Sequence, residues 1–232
     1  MVESEEDVLD IAQTLEEGLQ YHRDGDLQQA NGMYAKVLEI EPENGKALHL
    51  AGMLAYDIED YLLALDFILR AVEVNPLDAL YRNNLANVLF ALDEIPAAVE
   101  QYEKAIEIKP DYAEAHFNFA GVFFKQDNFD QALPLYQKAV EINKGFTEAW
   151  NNMGGTYLGK DDLNQAIRCY AQAYISNTSF SSAKENLVDA LFERVQQQIE
   201  NSDINAAIED LDRIKELDPQ HRQANELRKQ IN

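Results

Sequence analysis

At 232 residues and 46% apolar content, the chain is long enough to build a continuous core. Its 42 acidic against 19 basic residues give a formal charge of -23, which repels nucleic acid phosphates and anionic lipid heads and favours partners with basic or neutral surfaces. A single cysteine, Cys169, excludes an internal disulfide framework, and no apolar run approaches the roughly 20 residues that a membrane span needs.

The opening MVESEEDVLD is acidic and lacks the basic and apolar regions of a secretion signal, so a cytoplasmic setting is expected. Ser4 and Asp7 read as the cap of a helix running through the first block. From residue 11 a unit of 34 residues recurs. Proline returns at Pro42, Pro76 and Pro110, and a small residue at Ala30, Ala64, Ala98, Ala132 and Ala166. A bulky residue follows at Tyr34, Ile68, Tyr102, Tyr136 and Tyr170, and a second small series runs Gly18, Gly52, Ala86, Ala120 and Gly154. A fixed period of this length marks a repeat array, in which each unit buries its apolar face against its neighbours.

Residues 79–112 show the unit. Leu85, Ala86, Leu89 and Phe90 lie on one helical spacing, and Ala98, Tyr102, Ala105 and Ile106 on another. The break falls at Leu92–Ile95, Pro96 suits a helix start, and the second helix runs out at Lys109 and Pro110. The short connection requires antiparallel packing. In the fourth block, Pro134 lies inside the second helix and removes one helical bond. Cys169 sits in the apolar pattern of the second helix of the fifth and reads as a structural thiol. After residue 180 the register slips by seven residues, about two helical turns. Ala183, Leu187, Val188, Leu191, Phe192 and Val195 keep an apolar stripe, which predicts one long helix over about 182–201; a disordered insertion is the alternative. Ser182 and Glu185 read as its capping box. A further second helix follows at Ala207, Leu211 and Ile214, and residues 221–231 read as a cap helix, polar on one side.

This pattern resembles the tetratricopeptide repeat family, most closely at Trp150, Met153, Gly154, Tyr157, Ala166, Tyr170 and Ala173. The resemblance places repeats at 11–44, 45–78, 79–112, 113–146, 147–180 and 181–221, ahead of the cap helix. It implies an all-α, right-handed superhelical solenoid whose first helices line an inner surface, and a protein-interaction module with no cofactor. Position six of the unit gives Glu16, Leu50, Asn84, Asn118 and Asn152, with Asn83 and Asn151 beside them and Asn87 one turn on. This resembles the asparagine ladder in the superhelical region of O-linked N-acetylglucosamine transferases, which holds the backbone of an extended peptide. An amide both donates to and accepts from a peptide unit, whatever the peptide's side chains are. His49, Met53, Tyr56, Phe90, Phe117, Phe124 and Leu158 surround the series; Phe90 and Phe124 read equally as core between repeats. Gly121 and Gly155 recur at position nine and open the floor.

The family's clamp for acidic tails needs lysine or arginine at positions two, five and six of adjacent blocks, whereas this chain has Lys46, Leu80, Glu114 and Glu148 at position two; the resemblance therefore implies a basic or neutral peptide as partner. His22, His49, His116 and His221 are scattered, no catalytic or metal-binding motif is present, and no enzymatic activity is expected. Two other readings stand beside peptide binding. One is a scaffold that self-associates through Leu62, Leu63 and Phe67, unusually apolar for a second helix. The other is the recognition arm of a larger enzyme.

Overall fold

The computed structural model describes residues 10–231, so the cap expected at Ser4 and Asp7 lies outside the described residues. Every regular element described is helical. In chain order they are α1 (Ile11–Arg23), α2 (Leu27–Ile40), α3 (Gly45–Asp57), α4 (Tyr61–Val74), α5 (Ala79–Ala91), α6 (Ile95–Ile108), α7 (Ala113–Lys125), α8 (Phe129–Ile142), α9 (Thr147–Gly159), α10 (Leu163–Ser176), α11 (Ser181–Glu200), α12 (Ile204–Leu217) and α13 (Arg222–Gln230). Successive odd and even helices pack as antiparallel pairs, and each pair packs on the next within its unit. The chain divides into two compact units, residues 1–111 and 112–232. The first holds the pairs α1–α2, α3–α4 and α5–α6. The second holds α7–α8, α9–α10, α11–α12 and the closing α13.

Two of the sequence series interlock to build each pair. Tyr34, Ile68, Tyr102, Tyr136 and Tyr170 are all buried, and Tyr34, Ile68 and Tyr170 lie against the glycine sixteen positions earlier. A Cβ on Gly18 would fall 2.7 Å from the Tyr34 ring, one on Gly154 2.6 Å from the Tyr170 ring, and one on Gly52 would collide with Ile68. At these three positions glycine lets the paired helices approach over so large a neighbour, while the third and fourth pairs carry alanine, at Ala86 and Ala120, in the same place.

The turn inside each pair is equally periodic. A left-handed residue recurs at Gly25, Glu59, Asp93, Asp127 and Asp161, each 34 residues after the last. The next is Ser202, seven residues beyond the period. Those seven residues are the difference between α11, with 20 residues, and the 13 of α9. The slip therefore lengthens a helix by two turns and inserts no loop. The long helix expected at about 182–201 is α11. Its expected capping box is not formed: the helix begins at Ser181, Phe180 occupies the cap position, and no side chain caps it. Ser182 is already inside the first turn, where its side chain cannot close the helix end. Pro96 occupies the first turn of α6, and α8 runs on through Pro134 to Ile142.

Candidate functional site

The residues expected to form the ladder sit on the first helices, and the two units treat them differently. In the first unit, Asn83 and Asn84 on α5 are buried, at 3% and 8% exposure. The Asn84 amide nitrogen and His49 Nε2 on α3 are 2.8 Å apart, and Asn84 Oδ1 accepts from Asn83 at 3.1 Å. His49 stacks on Tyr81, with ring centroids 4.6 Å apart. Burial pushes the His49 pKa down to about 4, against the pull of the Asp78 carboxylate, so the ring is neutral at physiological pH. A neutral imidazole accepts at Nε2, which makes Asn84 the donor. Asn87 accepts from the Tyr102 hydroxyl at 2.5 Å. The asparagines of this unit thus bind internal partners, and Asn84 joins one repeat to the preceding one.

In the second unit, Asn118 on α7 and Asn151 and Asn152 on α9 are half-buried. Asn151 Nδ2 lies 3.4 Å from Asn152 Oδ1, and Asn151 Oδ1 accepts from Asn186 Nδ2 on α11 at 2.8 Å. Asn186 continues the 34-residue series beyond Asn152, a step that the sequence reading did not extend. The His49–Asn84 and Asn151–Asn186 bonds both span 35 residues: position five of one repeat meets position six of the next. Polar residues at that spacing were the signal available in the sequence. The Tyr136 hydroxyl is buried near Asn152 without a well-aligned bond; burial pushes its pKa up to about 12, and the Asn152 amide acts in the opposite direction.

The aromatic residues expected around the ladder prove to be largely packing residues. Phe117 lies 4.8 Å from the Phe146 ring and 5.8 Å from Tyr136, and Phe124 packs on Tyr136 and Phe129. Met53 and Tyr56 pack against the core of the first unit, and Leu158 against that of the second. Gly121 and Gly155 are different. A Cβ on Gly121 would come no nearer than 3.9 Å to Tyr136, and one on Gly155 would meet Phe124 at 3.5 Å, an ordinary contact. No described neighbour demands glycine at either place, although each costs its helix about 1 kcal/mol relative to alanine.

Among the residues expected to self-associate, Leu62 is 72% exposed and Leu63 is also exposed. Phe67 is half-buried: it packs against both core clusters of the first unit and lies under Arg70, whose guanidinium carbon is 5.8 Å from the ring centroid. Cys169 is buried, and its thiol is pushed up to about 12 by that burial, with Asp162 adding to the effect. It stays protonated and is a structural thiol, as expected. Among the described residues, no helix is long and apolar enough to cross a membrane, and no three His, Cys, Asp or Glu side chains gather as a metal site.

Paired antiparallel helices, a 34-residue period and glycine–aromatic interlocks define an all-α solenoid of tetratricopeptide-repeat architecture. The family comparison agrees. Residues 86–127 match the TPR repeat and residues 123–174 the tetratricopeptide repeat. Among solved structures, MamA is 26% identical, with 71% of this chain and 96% of that chain covered and a TM-score of 0.61. The pilF protein of Pseudomonas aeruginosa is 17% identical over 95% of this chain and 97% of that chain, with a TM-score of 0.71, a likeness of fold. An O-GlcNAc transferase from Thermobaculum terrenum is 29% identical over 56% of this chain and 26% of that chain, with a TM-score of 0.54.

Proposed function

We propose that the chain, in a cytoplasmic setting, holds an extended segment of a partner protein against its first helices, with asparagine amides bonding to the partner's backbone. The observation that carries this reading is the half-exposed pair Asn118 and Asn152, one repeat apart in the second unit, beside Gly121 and Gly155. Asparagine and glycine both weaken a helix. Their recurrence at two positions of adjacent repeats, with no packing need for the glycines, is accounted for by a ligand backbone that requires hydrogen bonds and close approach. The first unit contributes less, because Asn84 is buried and engaged with His49. Glu114 and Glu148, at position two, favour a basic or neutral segment. The likeness to a transferase whose chain is much longer also supports a recognition role within a larger assembly.

The test is calorimetry of the whole chain with neutral and basic peptides selected from a random library. Asn118→Ala with Asn152→Ala should weaken several unrelated peptides alike, by about 0.5–1.5 kcal/mol for each bond removed. Thermal stability should not fall, since alanine is the better helix former. Unchanged affinity would exclude the assignment. The scaffold reading keeps one favourable observation, the exposed Leu62, Leu63 and Leu77. If it holds, Leu62→Glu should lower the mass of the particle in solution.

A further inference from the structure

We infer that the second unit carries another docking surface, along its second helices, for an acidic protein segment that presents an apolar side chain. Two cavities lie on either side of α10. The first, of about 540 Å³, opens between α8 and α10 over a floor from α9 that includes Trp150 and Met153. The second, of about 530 Å³, lies where α10 meets side chains of α11 and α12. Arg168 and Gln172 line both, so α10 is a ridge between two adjoining hollows. Each is of the size that accepts a ligand group.

Charge identifies the occupant. In a chain where acids outnumber bases by more than two to one, these cavities are lined by Lys144, Arg168, Arg194 and Arg213 and by one acid, Glu141. Glu141 is held by Lys138 at 3.6 Å, and Arg194 by Asp210 at 2.7 Å. No carboxylate pairs with Lys144, Arg168 or Arg213 among the described residues. Three unpaired cations in one place on so acidic a protein are complementary to carboxylates from outside. The apolar part of the lining specifies the rest. The Trp150 indole is fixed by donating to the Lys144 carbonyl oxygen at 2.9 Å, and Ile175 stands 69% exposed in the second cavity. A segment crossing the α10 ridge would set carboxylates on Arg168 and Arg213 and an apolar side chain against Trp150. Trp150 shares α9 with Asn151 and Asn152, but none of the asparagines of the repeat series lines either cavity.

Trp150 is the only tryptophan, so emission excited selectively over the tyrosines reports from this one residue, and an Asn152→Ala control separates this surface from the asparagine face. The full chain would be titrated with a short, tryptophan-free synthetic peptide alternating Glu or Asp with Leu. Two analogues serve as controls, one with Lys replacing the acids and one with Ser replacing Leu. The expected result is a saturable change with the acidic apolar peptide, weakened by salt and weaker for either analogue. Arg168→Glu should cost about tenfold or more in affinity with helix content unchanged, because Arg168 is exposed. Arg213→Gln should weaken binding through the second cavity, and Asn152→Ala should leave it unaltered. Equal binding of the Lys analogue, an unaffected Arg168→Glu variant, or no saturable response would overturn the inference. Emission that shifts with protein concentration alone would overturn the assigned partner in favour of a second copy of this chain.

Discussion

The two units build the same helix pairs and finish them differently. In the first, α1, α3 and α5 are each capped by a side chain, from Asp10, Asn44 and Asp78. In the second, α7, α9 and α11 begin behind Tyr112, Phe146 and Phe180, also 34 residues apart, and none has a side-chain cap bond. At Phe146 the ring packs on Phe117 instead. Charge divides along the same line: residues 1–111 hold 24 acids and 7 bases, and residues 112–232 hold 18 acids and 12 bases. The period thus dictates where a helix starts while leaving open how that start is secured. Two of these three caps, Asp10 and Asp78, add acids to the first unit. The starts of α7, α9 and α11 carry no acid at the cap position, and in this unit the unpaired bases of the α10 ridge are found.

The comparison can be broken most severely at the end of the second unit. Asp210, 6% exposed, accepts from Arg194 at 2.8 and 2.7 Å and from Gln198 at 3.0 Å. Asp210→Ala strands the guanidinium and should cost about 3 kcal/mol in urea unfolding, the low end for a buried pair because Arg194 is partly exposed. Hydrogen exchange should place the loss in the second unit and leave the first unit's protection intact. A loss shared equally by both would show that they do not respond separately.

A pH effect should mark the first unit. His49 is held neutral with its pKa near 4, whereas in the unfolded chain it takes up a proton below about 6.5. The unfolded state binds more protons between those values, so the stabilisation is complete above about pH 6.5 and is lost as pH falls toward 4. Between pH 6.5 and 5 the loss should be about 2 kcal/mol. His49→Asn places at position five the residue found at Asn151, preserves the bond to the next repeat and should flatten that slope. An equal slope in the variant would mean that His49 is not its source.

A smaller effect sharpens the contrast of helix starts. Asp78 accepts from the backbone N–H of Leu80 and Tyr81, and Asp78→Ala should cost about 1 kcal/mol in thermal or urea unfolding. Phe146→Asn supplies a polar cap and removes the ring. It should still destabilise, since the ring packs on Phe117. A gain in stability would show that packing at Phe146 contributes less than the cap it displaces.

Much of the fold was legible in the sequence because packing between paired helices is a contact of fixed register. Gly154 against Tyr170 is such a contact, and both residues repeat with the period. The length of α11 was legible for the same reason, since its apolar stripe runs unbroken. Its start was not: Ser182 and Glu185 have the spacing of a capping box, but the preceding turn ends at Phe180 and puts both inside the helix. The candidate site was legible only as a face. Periodicity tells which side of a helix Asn84 occupies, not that His49, 35 residues earlier, reaches it and closes it off. The α10 ridge was invisible, because its bases come from a turn and three helices spread between Lys144 and Arg213, and no repeat-signature residue is basic.

The central claim is that Asn118 and Asn152 hold a partner's backbone while Asn84 holds the repeats together. Side-chain amide NMR of the full chain, recorded with and without a saturating neutral peptide chosen by selection, tests this most directly. The account predicts shifted resonances for Asn118 and Asn152 and an unmoved Asn84, still bonded to His49. Unmoved Asn118 and Asn152 signals, with changes confined to the Trp150 and Arg168 surface, would contradict it.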